Sequence, residues 1–149
     1  MEKIIALALE MAKKAFELGE TPVGAVVFDT KTKRIISSAH NLTESQNDST
    51  AHAEVLAIRD AEKALGLSNL SGYSLFATVE PCAMCAGAIA WAKLDKLYFG
   101  AYDTKSGAVE NGVHFFESPS CHHKPEIVGG LHEADGATLM TDFFKEKRK

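Results

Sequence analysis

Residues 74–100 read SLFATVEPCAMCAGAIAWAKLDKLYFG. The two ends of this stretch, Ser74–Val79 and Lys96–Gly100, are short runs of aliphatic and aromatic side chains, which are typical of β-strands. Between them, Pro81 suits the first position of a helix that runs to about Ala92. Because strands joined through a helix usually lie parallel in one sheet, this stretch predicts an α/β fold.

The segments on either side extend this alternation of helices and strands. Apolar residues at helical spacing predict a first helix that stops at Gly19 and another over Ala51–Leu65 that stops at Gly66. The segment from Ala101 to Pro125 has weak periodicity, so no element is predicted there, although loops of this length are often functional. The other expected elements are a hairpin of strands Val23–Phe28 and Arg34–Ser37, a short strand Glu126–Val128 and a helix Glu133–Lys147.

Length and composition are those of one globular domain spanning residues 1–149. Hydrophobic residues make up 46% of the chain and charged residues 24%, which excludes a disordered, collagen-like or coiled-coil protein. Because the net charge is -4, a basic surface cannot cover the whole molecule, and any polyanion must be bound locally. No apolar run approaches the roughly 20 residues that cross a bilayer, so we expect no membrane association and a cytoplasmic location.

Two short motifs at the predicted starts of helices form a candidate metal site. They read His52-Ala53-Glu54 and Pro81-Cys82-Ala83-Met84-Cys85. Each follows extended chain, so the two can meet above one edge of the sheet. One imidazole and two thiolates suit zinc, and three protein ligands leave the fourth tetrahedral position open for water, as in catalytic sites. Glu54 could carry protons between that water and a substrate nitrogen.

Each motif alone has other interpretations. An isolated Cys-x-x-Cys can be a redox pair or half of a structural zinc site, and an isolated His is often only a hydrogen-bonded polar residue. Three cysteines, an odd number, argue against a secreted disulfide framework. The third cysteine, in Cys121-His122-His123, could occupy the fourth zinc position, but it would then exclude the water. The two motifs together favour a zinc deaminase.

These residues resemble the cytidine and deoxycytidylate deaminase superfamily, and more closely its bacterial tRNA-specific adenosine deaminases. The resemblance covers nearly the whole chain. It implies a three-layer α/β/α, cytidine-deaminase-like fold with a central mixed five-stranded sheet flanked by helices. The zinc motifs are common to the superfamily, and other stretches are similar to the tRNA branch, above all Asp103–Ala108, His122–Ile127 and Leu139–Lys145, which look like its RNA-facing loop and C-terminal helix.

The resemblance also implies roles for individual residues. His52, Cys82 and Cys85 would bind one Zn²⁺ per subunit, and Glu54 would be the general acid/base. In the family's reaction, zinc-activated water attacks C6 of adenine, N1 is protonated, ammonia leaves and inosine remains. The implied substrate is the wobble adenosine of a tRNA anticodon stem-loop, and the implied assembly is a homodimer. The implied substrate contacts are Asn41 with the extruded base, Pro22, Val23 and Ala25 in the pocket wall, and Asp103 and Lys105 beside the anticodon backbone.

Several of these residues also have a purely structural interpretation. Asn41 is a common turn residue at the end of a strand. Phe143 and Phe144 are adjacent and cannot both face inward on a helix, so we expect Phe144 to line a substrate groove or a subunit interface. The ending 140–149 is either a solvated basic tail or one that contacts phosphates. We expect the aromatic residues Phe76, Trp91 and Phe99 in the core.

Two other functions use the same features. A deaminase of a free base or nucleoside, such as guanine or cytidine, could be built on the same zinc site. A non-catalytic, zinc-stabilised binding module would need the three ligands but has no use for Glu54. The loop Asp103–Ala108 and the basic end of the last helix favour an RNA substrate because they can contact phosphates. The sequence therefore predicts a hydrolytic tRNA adenosine deaminase.

Overall fold

A computed structural model describes residues 1–147 and contains a five-stranded mixed sheet. The strand order is β2-β1-β3-β4-β5; β1 runs antiparallel to β2 and β3, while β3, β4 and β5 run parallel. The predicted α/β fold with a central mixed sheet is confirmed. The strands are β1 (Gly24–Asp29), β2 (Ile35–His40), β3 (Tyr73–Val79), β4 (Lys96–Ala101) and β5 (Glu126–Val128).

Four helices cover the two faces of the sheet and complete the three predicted layers. The first and last helices pack together on one face, and the two middle helices pack together on the other. None of the helices in residues 1–147 combines the length and apolarity needed to cross a membrane. The helices are α1 (Glu2–Glu17), α2 (Ala53–Leu65), α3 (Ala83–Ala92) and α4 (Glu133–Lys147), and a 3-10 turn spans Phe115–Glu117.

Strand β1 shows how the sheet is buried on both sides. Ala25 and Val27 point into the cluster under α2 and α3, whereas Val26 and Phe28 point into the cluster under α1. Successive side chains of a strand alternate between its faces, so a strand covered on both sides reads as a continuous apolar run. The core is therefore divided by the sheet.

Two helices begin later than the sequence pattern predicts. Helix α3 begins at Ala83, not at Pro81, and α2 begins at Ala53, not at Ala51. His52 and Cys82 are the N-cap residues and have extended backbone, with ψ of 149° and 177°. The extended cap places each side chain just above its helix rather than on the helix surface.

The prediction that Trp91 lies in the core is wrong. Its side chain is 79% exposed, whereas Phe76 and Phe99 are buried as expected. Helix α3 is composed of AMCAGAIAWA, which is apolar on every side, so periodicity cannot distinguish its inner face from its outer face. Ile89 and Ala92 occupy the inner face instead.

Helix α4 lies close over the carboxyl ends of β3 and β4. A Cβ at Gly136 would lie 2.4 Å from the carbonyl oxygen of Thr78, so only glycine permits this approach. Phe143 is buried and packs edge-on against Phe16 of α1, with ring centroids 5.9 Å apart. Phe144 faces outward and is 44% exposed. The two adjacent aromatic residues thus separate into one core and one surface residue, as predicted.

Candidate active site

The candidate metal site lies where α2 and α3 begin. His52 and Cys82 are the N-caps of these helices, and Cys85 lies in the first turn of α3. One ligand atom from each of the three residues lies within 4.8 Å of the others. Two helix N-termini therefore bring an imidazole and two thiols to one point, where the helix dipoles favour thiolates.

The distances between these atoms fit a tetrahedral zinc ion. His52 Nδ1 lies 3.6 Å from Cys82 Sγ and 3.5 Å from Cys85 Sγ. Usual zinc–nitrogen and zinc–sulfur bond lengths and a tetrahedral angle require a nitrogen–sulfur separation of about 3.6 Å. No other cluster of three such residues occurs within residues 1–147. Cys121 is not part of it, because its thiol donates to the carbonyl oxygen of His123 at 3.1 Å.

The three side chains share protons through hydrogen bonds, as closely spaced metal ligands do before a metal ion displaces those protons. Hydrogen bonds from Cys85 and then from His52 outweigh burial and lower the pKa of the Cys82 thiol to about 4. The hydrogen bond with Cys82 raises the pKa of His52. The pKa of the Cys85 thiol is raised because it donates to Cys82 and is buried. A bound metal ion would replace this proton and hold both sulfurs as thiolates.

Glu54 lies in the first turn of α2, two residues after the ligand His52. Its side chain is only 4% exposed, yet it lines the cavity that His52 and Cys82 also line. Burial raises the pKa of its carboxyl group to about 7. A carboxyl group with such a pKa can both take up and release a proton near neutral pH.

The cavity has a volume of about 770 Å³ and opens above the metal site. It is bounded by the start of β1, the ends of β3 and β4, the loop after β4 and one side of α4. The predicted site residues that line it are Val23, Asn41, His52, Glu54, Cys82, Asp103, Lys105 and Phe144.

Three predicted site residues do not line the cavity. Cys85 is fully buried and does not reach the cavity surface, but its sulfur belongs to the metal site. Pro22 is buried, and Ala25 belongs to the core between the sheet and helices α2 and α3. Of the predicted pocket wall, only Val23 is therefore at the cavity surface. Ala25 turns inward because β1 is covered on both faces.

The amide of Asn41 is held by a buried carboxylate, Glu20, which belongs to no recognisable motif. Asn41 Nδ2 donates to Glu20 Oε1 at 3.4 Å and to Thr43 Oγ1 at 3.2 Å. Glu20 is fully buried and also accepts from the backbone N–H groups of Glu44 and Ser45. Asn41 is thus more than a turn residue, since its side chain is fixed at the edge of the cavity.

Other residues that line the cavity are not among the individually predicted contacts, although Lys145 belongs to the basic ending 140–149, for which phosphate contact is one of the two predicted roles. Lys145 joins Lys105 at the cavity, so two cations lie beside its mouth. The stretch 122–127, which resembles part of the RNA-facing surface, does not line the cavity; His123 Nε2 instead contacts the carbonyl oxygen of Leu94 at 2.7 Å. The further lining residues are Thr21, Thr43, Val79, Glu80, Ala101, Tyr102, Thr104, Ser106, Ala137, Met140 and Thr141.

Comparisons with known proteins agree with this geometry. The family described as the cytidine and deoxycytidylate deaminase zinc-binding region matches residues 1–101. A tRNA-specific adenosine deaminase from Rickettsia bellii is 47% identical over 141 residues, which are 95% of this chain and 97% of the relative. One from Agrobacterium fabrum is 49% identical over 142 residues, which are 95% and 92% of the two chains.

Solved structures include both tRNA and guanine deaminases. A structure from a study of A-to-I editing by tRNA:A34 deaminases has a TM-score of 0.90 and 46% identity, covering 93% of this chain and 99% of that one. Guanine deaminase from Bacillus subtilis has a TM-score of 0.65 and 30% identity, covering 99% and 94%. Both identity and superposition are higher for the tRNA deaminase.

Proposed function

Since the chain belongs to the cytidine and deoxycytidylate deaminase family and, within it, to the tRNA-specific adenosine deaminases, we propose that it converts the wobble adenosine of a tRNA anticodon loop to inosine. One observation carries the proposal: the buried carboxyl group of Glu54 faces a cavity whose floor holds a three-ligand zinc site and whose mouth carries Lys105 and Lys145. The residues therefore combine hydrolytic chemistry with sites for phosphates.

The side chains divide the reaction between them. His52, Cys82 and Cys85 would hold zinc, which would supply a Lewis acid that makes water nucleophilic near neutral pH. Glu54 carries one proton of the attacking water to N1 of adenine, where it stays. It then carries the second proton, from the hydroxyl group added at C6, to the amino group, which leaves as ammonia as the C6 carbonyl forms. Burial keeps Glu54 away from bulk water and tunes it for both transfers.

The remaining cavity residues would hold the extruded base and its backbone. Asn41 is fixed through its amide nitrogen, which leaves its amide oxygen to accept a hydrogen bond from the base. Val23 forms the apolar wall, and the exposed ring of Phe144 offers a face on which a neighbouring base can stack. Asp103 and Lys105 lie on the loop after β4, where the anticodon backbone would pass.

A panel of substrates tests the proposal. Zinc-loaded protein is incubated with an anticodon stem-loop that has adenosine at the wobble position, and separately with adenosine, guanine and cytidine. The proposal predicts inosine in the stem-loop, with a far smaller ammonia release from the free compounds. If ammonia comes mainly from guanine or a nucleoside, the substrate is a free base or nucleoside and the proposal is wrong. If no compound is converted, the result supports a non-catalytic module.

The outer face of α3 supports a homodimer. Met84 and Trp91 are exposed there, and Gly87 and Ala88 lie half-buried between them. Exposed apolar surface of this kind marks interaction sites, and the proposed enzyme would cover it with a second copy of the chain. Sedimentation equilibrium would show a dimer for the wild-type protein and a shift towards monomer for Trp91→Glu; a monomeric wild-type protein would contradict this.

The proposal also covers location, domain extent and the basic ending. We propose a cytoplasmic location because tRNA would be the substrate, and we propose that residues 1–149 form one deaminase domain. Lys145 lines the cavity and Lys147 lies 5.4 Å from the ring of Phe143, whereas Arg148 and Lys149 lie outside the described residues. Truncation after Phe144 should weaken stem-loop binding and flatten its salt dependence. Unchanged affinity and salt dependence would make the ending a solvated tail.

A further inference from the structure

The carboxylate of Glu80 gathers the ends of the loop that follows β4, residues 102–111, here called the β4 loop. Oε1 accepts from the backbone N–H of Asp103 at 3.0 Å and from the side-chain amide of Asn111 at 2.7 Å. Oε2 accepts from the backbone N–H groups of Val109, Glu110 and Asn111 at 3.1, 2.8 and 3.0 Å. Both oxygens are therefore occupied by groups of one loop.

No cation accompanies this buried anion. Glu80 is 3% exposed, and no ion pair involves it within residues 1–147. Instead, five hydrogen bonds from Asp103, Val109, Glu110 and Asn111 surround the carboxylate. The backbone of the β4 loop thus serves as the counter-charge, in the way that backbone nests bind anions.

The β4 loop is also packed directly against the carboxyl group. A Cβ at Gly107 would lie 2.6 Å from Cδ of Glu80 and 2.4 Å from the carbonyl oxygen of Asp103, so the loop can close only with glycine at this position. The N–H of Ala108 donates to the carbonyl oxygen of Pro81 at 2.9 Å. The segment that carries Cys82 and the β4 loop therefore hold each other in place.

The contact at Asp103 determines where the cavity side of the loop lies. Asp103 Oδ1 accepts from the N–H groups of Lys105 and Ser106, both at 3.0 Å, which forms a local turn. This turn begins at the residue whose N–H is bound by Glu80. All of these residues line the cavity, and Lys105 is exposed.

We propose that Glu80 is a positioning residue for the RNA substrate: it fixes the β4 loop so that Asp103 and Lys105 meet the backbone of the anticodon loop. The proposal rests on the proposed function. Glu80 does not transfer protons in the reaction, because its two oxygens are committed to the β4 loop. Its loss should therefore weaken RNA binding more than the chemical step.

Glu80→Gln tests this, with Glu110→Gln as the matched control because Glu110 is exposed on the same loop. In this variant the NH₂ group of glutamine would face N–H groups of the β4 loop, so that hydrogen-bond donors would oppose each other. We expect full zinc content, a KM for the stem-loop raised about tenfold or more, which corresponds to one lost hydrogen bond to a charged group, and a kcat changed far less. Glu110→Gln should retain the wild-type KM.

Amide hydrogen exchange supplies a readout that does not depend on the substrate. In Glu80→Gln the amides of Asp103, Val109 and Glu110 should exchange faster, while those of β3 keep wild-type protection. Wild-type KM and wild-type exchange in this variant would overturn the proposal, as would an equal rise of KM in Glu110→Gln. If wild-type protein does not convert the stem-loop, the proposed function fails. The exchange result would still show whether Glu80 holds the β4 loop in place.

A second variant decides the matter if Glu80→Gln does not fold. Asn111→Ala removes only the amide that donates to Oε1 of Glu80 and leaves the carboxylate with its backbone partners. We expect a smaller rise of the KM, about threefold, and faster exchange at the neighbouring Val109 and Glu110 amides. Unchanged KM together with unchanged exchange in Asn111→Ala would overturn the positioning role.

Discussion

Glu20→Gln should destabilise the protein although it removes no volume. The carboxylate is fully buried, and its Oε2 accepts two hydrogen bonds from Ser45, from the backbone N–H and the hydroxyl, both at 2.6 Å. Its Oε1 accepts from Asn41, Thr43 and Glu44. The single side-chain oxygen of glutamine can accept hydrogen bonds from only one of these two sets of donors. The NH₂ group of the glutamine must then face the other set.

The cost follows from the donors left without an acceptor. If glutamine keeps the Oε1 contacts, the Ser45 N–H is unpaired and the other bonds lose their charge, which together amount to about 2–4 kcal/mol. For a chain of this length, each kcal/mol corresponds to roughly 2–4 °C, so Tm should fall by about 4–16 °C. Differential scanning calorimetry at neutral pH measures this, with the exposed Glu17→Gln as the control.

The stability difference should also depend on pH. Burial acts to raise the pKa of Glu20, but the hydrogen bonds from Ser45, Glu44 and Thr43 outweigh it and lower the pKa below its ordinary value of 4.5. A carboxylate with a lowered folded-state pKa contributes stability that is complete above the unfolded-state pKa and is lost as pH falls through the folded-state pKa. The gap between wild type and Glu20→Gln should therefore narrow in acid below about pH 4.5. Equal Tm values for Glu20→Gln and Glu17→Gln at neutral pH would refute the reasoning.

Three further sets of variants test catalysis, metal binding and packing separately. Glu54→Gln should keep its zinc by elemental analysis and lose at least about 10²–10⁴-fold in single-turnover rate; retained turnover would contradict its role in proton transfer. Cys85→Ala should lose zinc, whereas Cys121→Ala should keep it. Equal zinc content in the two variants would show that Cys85 is not a zinc ligand. Phe143→Ala should lower the free energy of unfolding, measured by urea denaturation, by about 3 kcal/mol. Phe144→Ala should keep its stability and bind the stem-loop more weakly, and the reverse pattern would exchange the two roles.

The sequence predicted those features that are encoded locally. The order of strands and helices, the stops at Gly19 and Gly66, and the metal ligands follow from short motifs and from apolar periodicity. His52 and Cys82 were identifiable because each stands next to a helix start, where a single backbone conformation places the side chain. The split between Phe143 and Phe144 followed from helix geometry alone.

The remaining features depend on contacts between distant parts of the chain. Glu20 and Glu80 look like ordinary surface acids in the sequence, and only the fold shows that each collects backbone N–H groups from a loop more than 20 residues away. The β4 loop has no helix or strand periodicity, and its hydrogen bonds to Glu80 join it to a residue distant in the sequence. Trp91 was misplaced because its helix is apolar on all sides.

The central claim is that water is added to an adenosine of the anticodon loop with the help of Glu54. The most direct test runs the reaction on the stem-loop in water labelled with heavy oxygen and locates the label by mass spectrometry of the digested RNA. The account predicts one inosine, at the wobble position, carrying the label in wild-type protein and none in Glu54→Gln. Unlabelled inosine, labelled inosine from Glu54→Gln, or no inosine while guanine is consumed would contradict it.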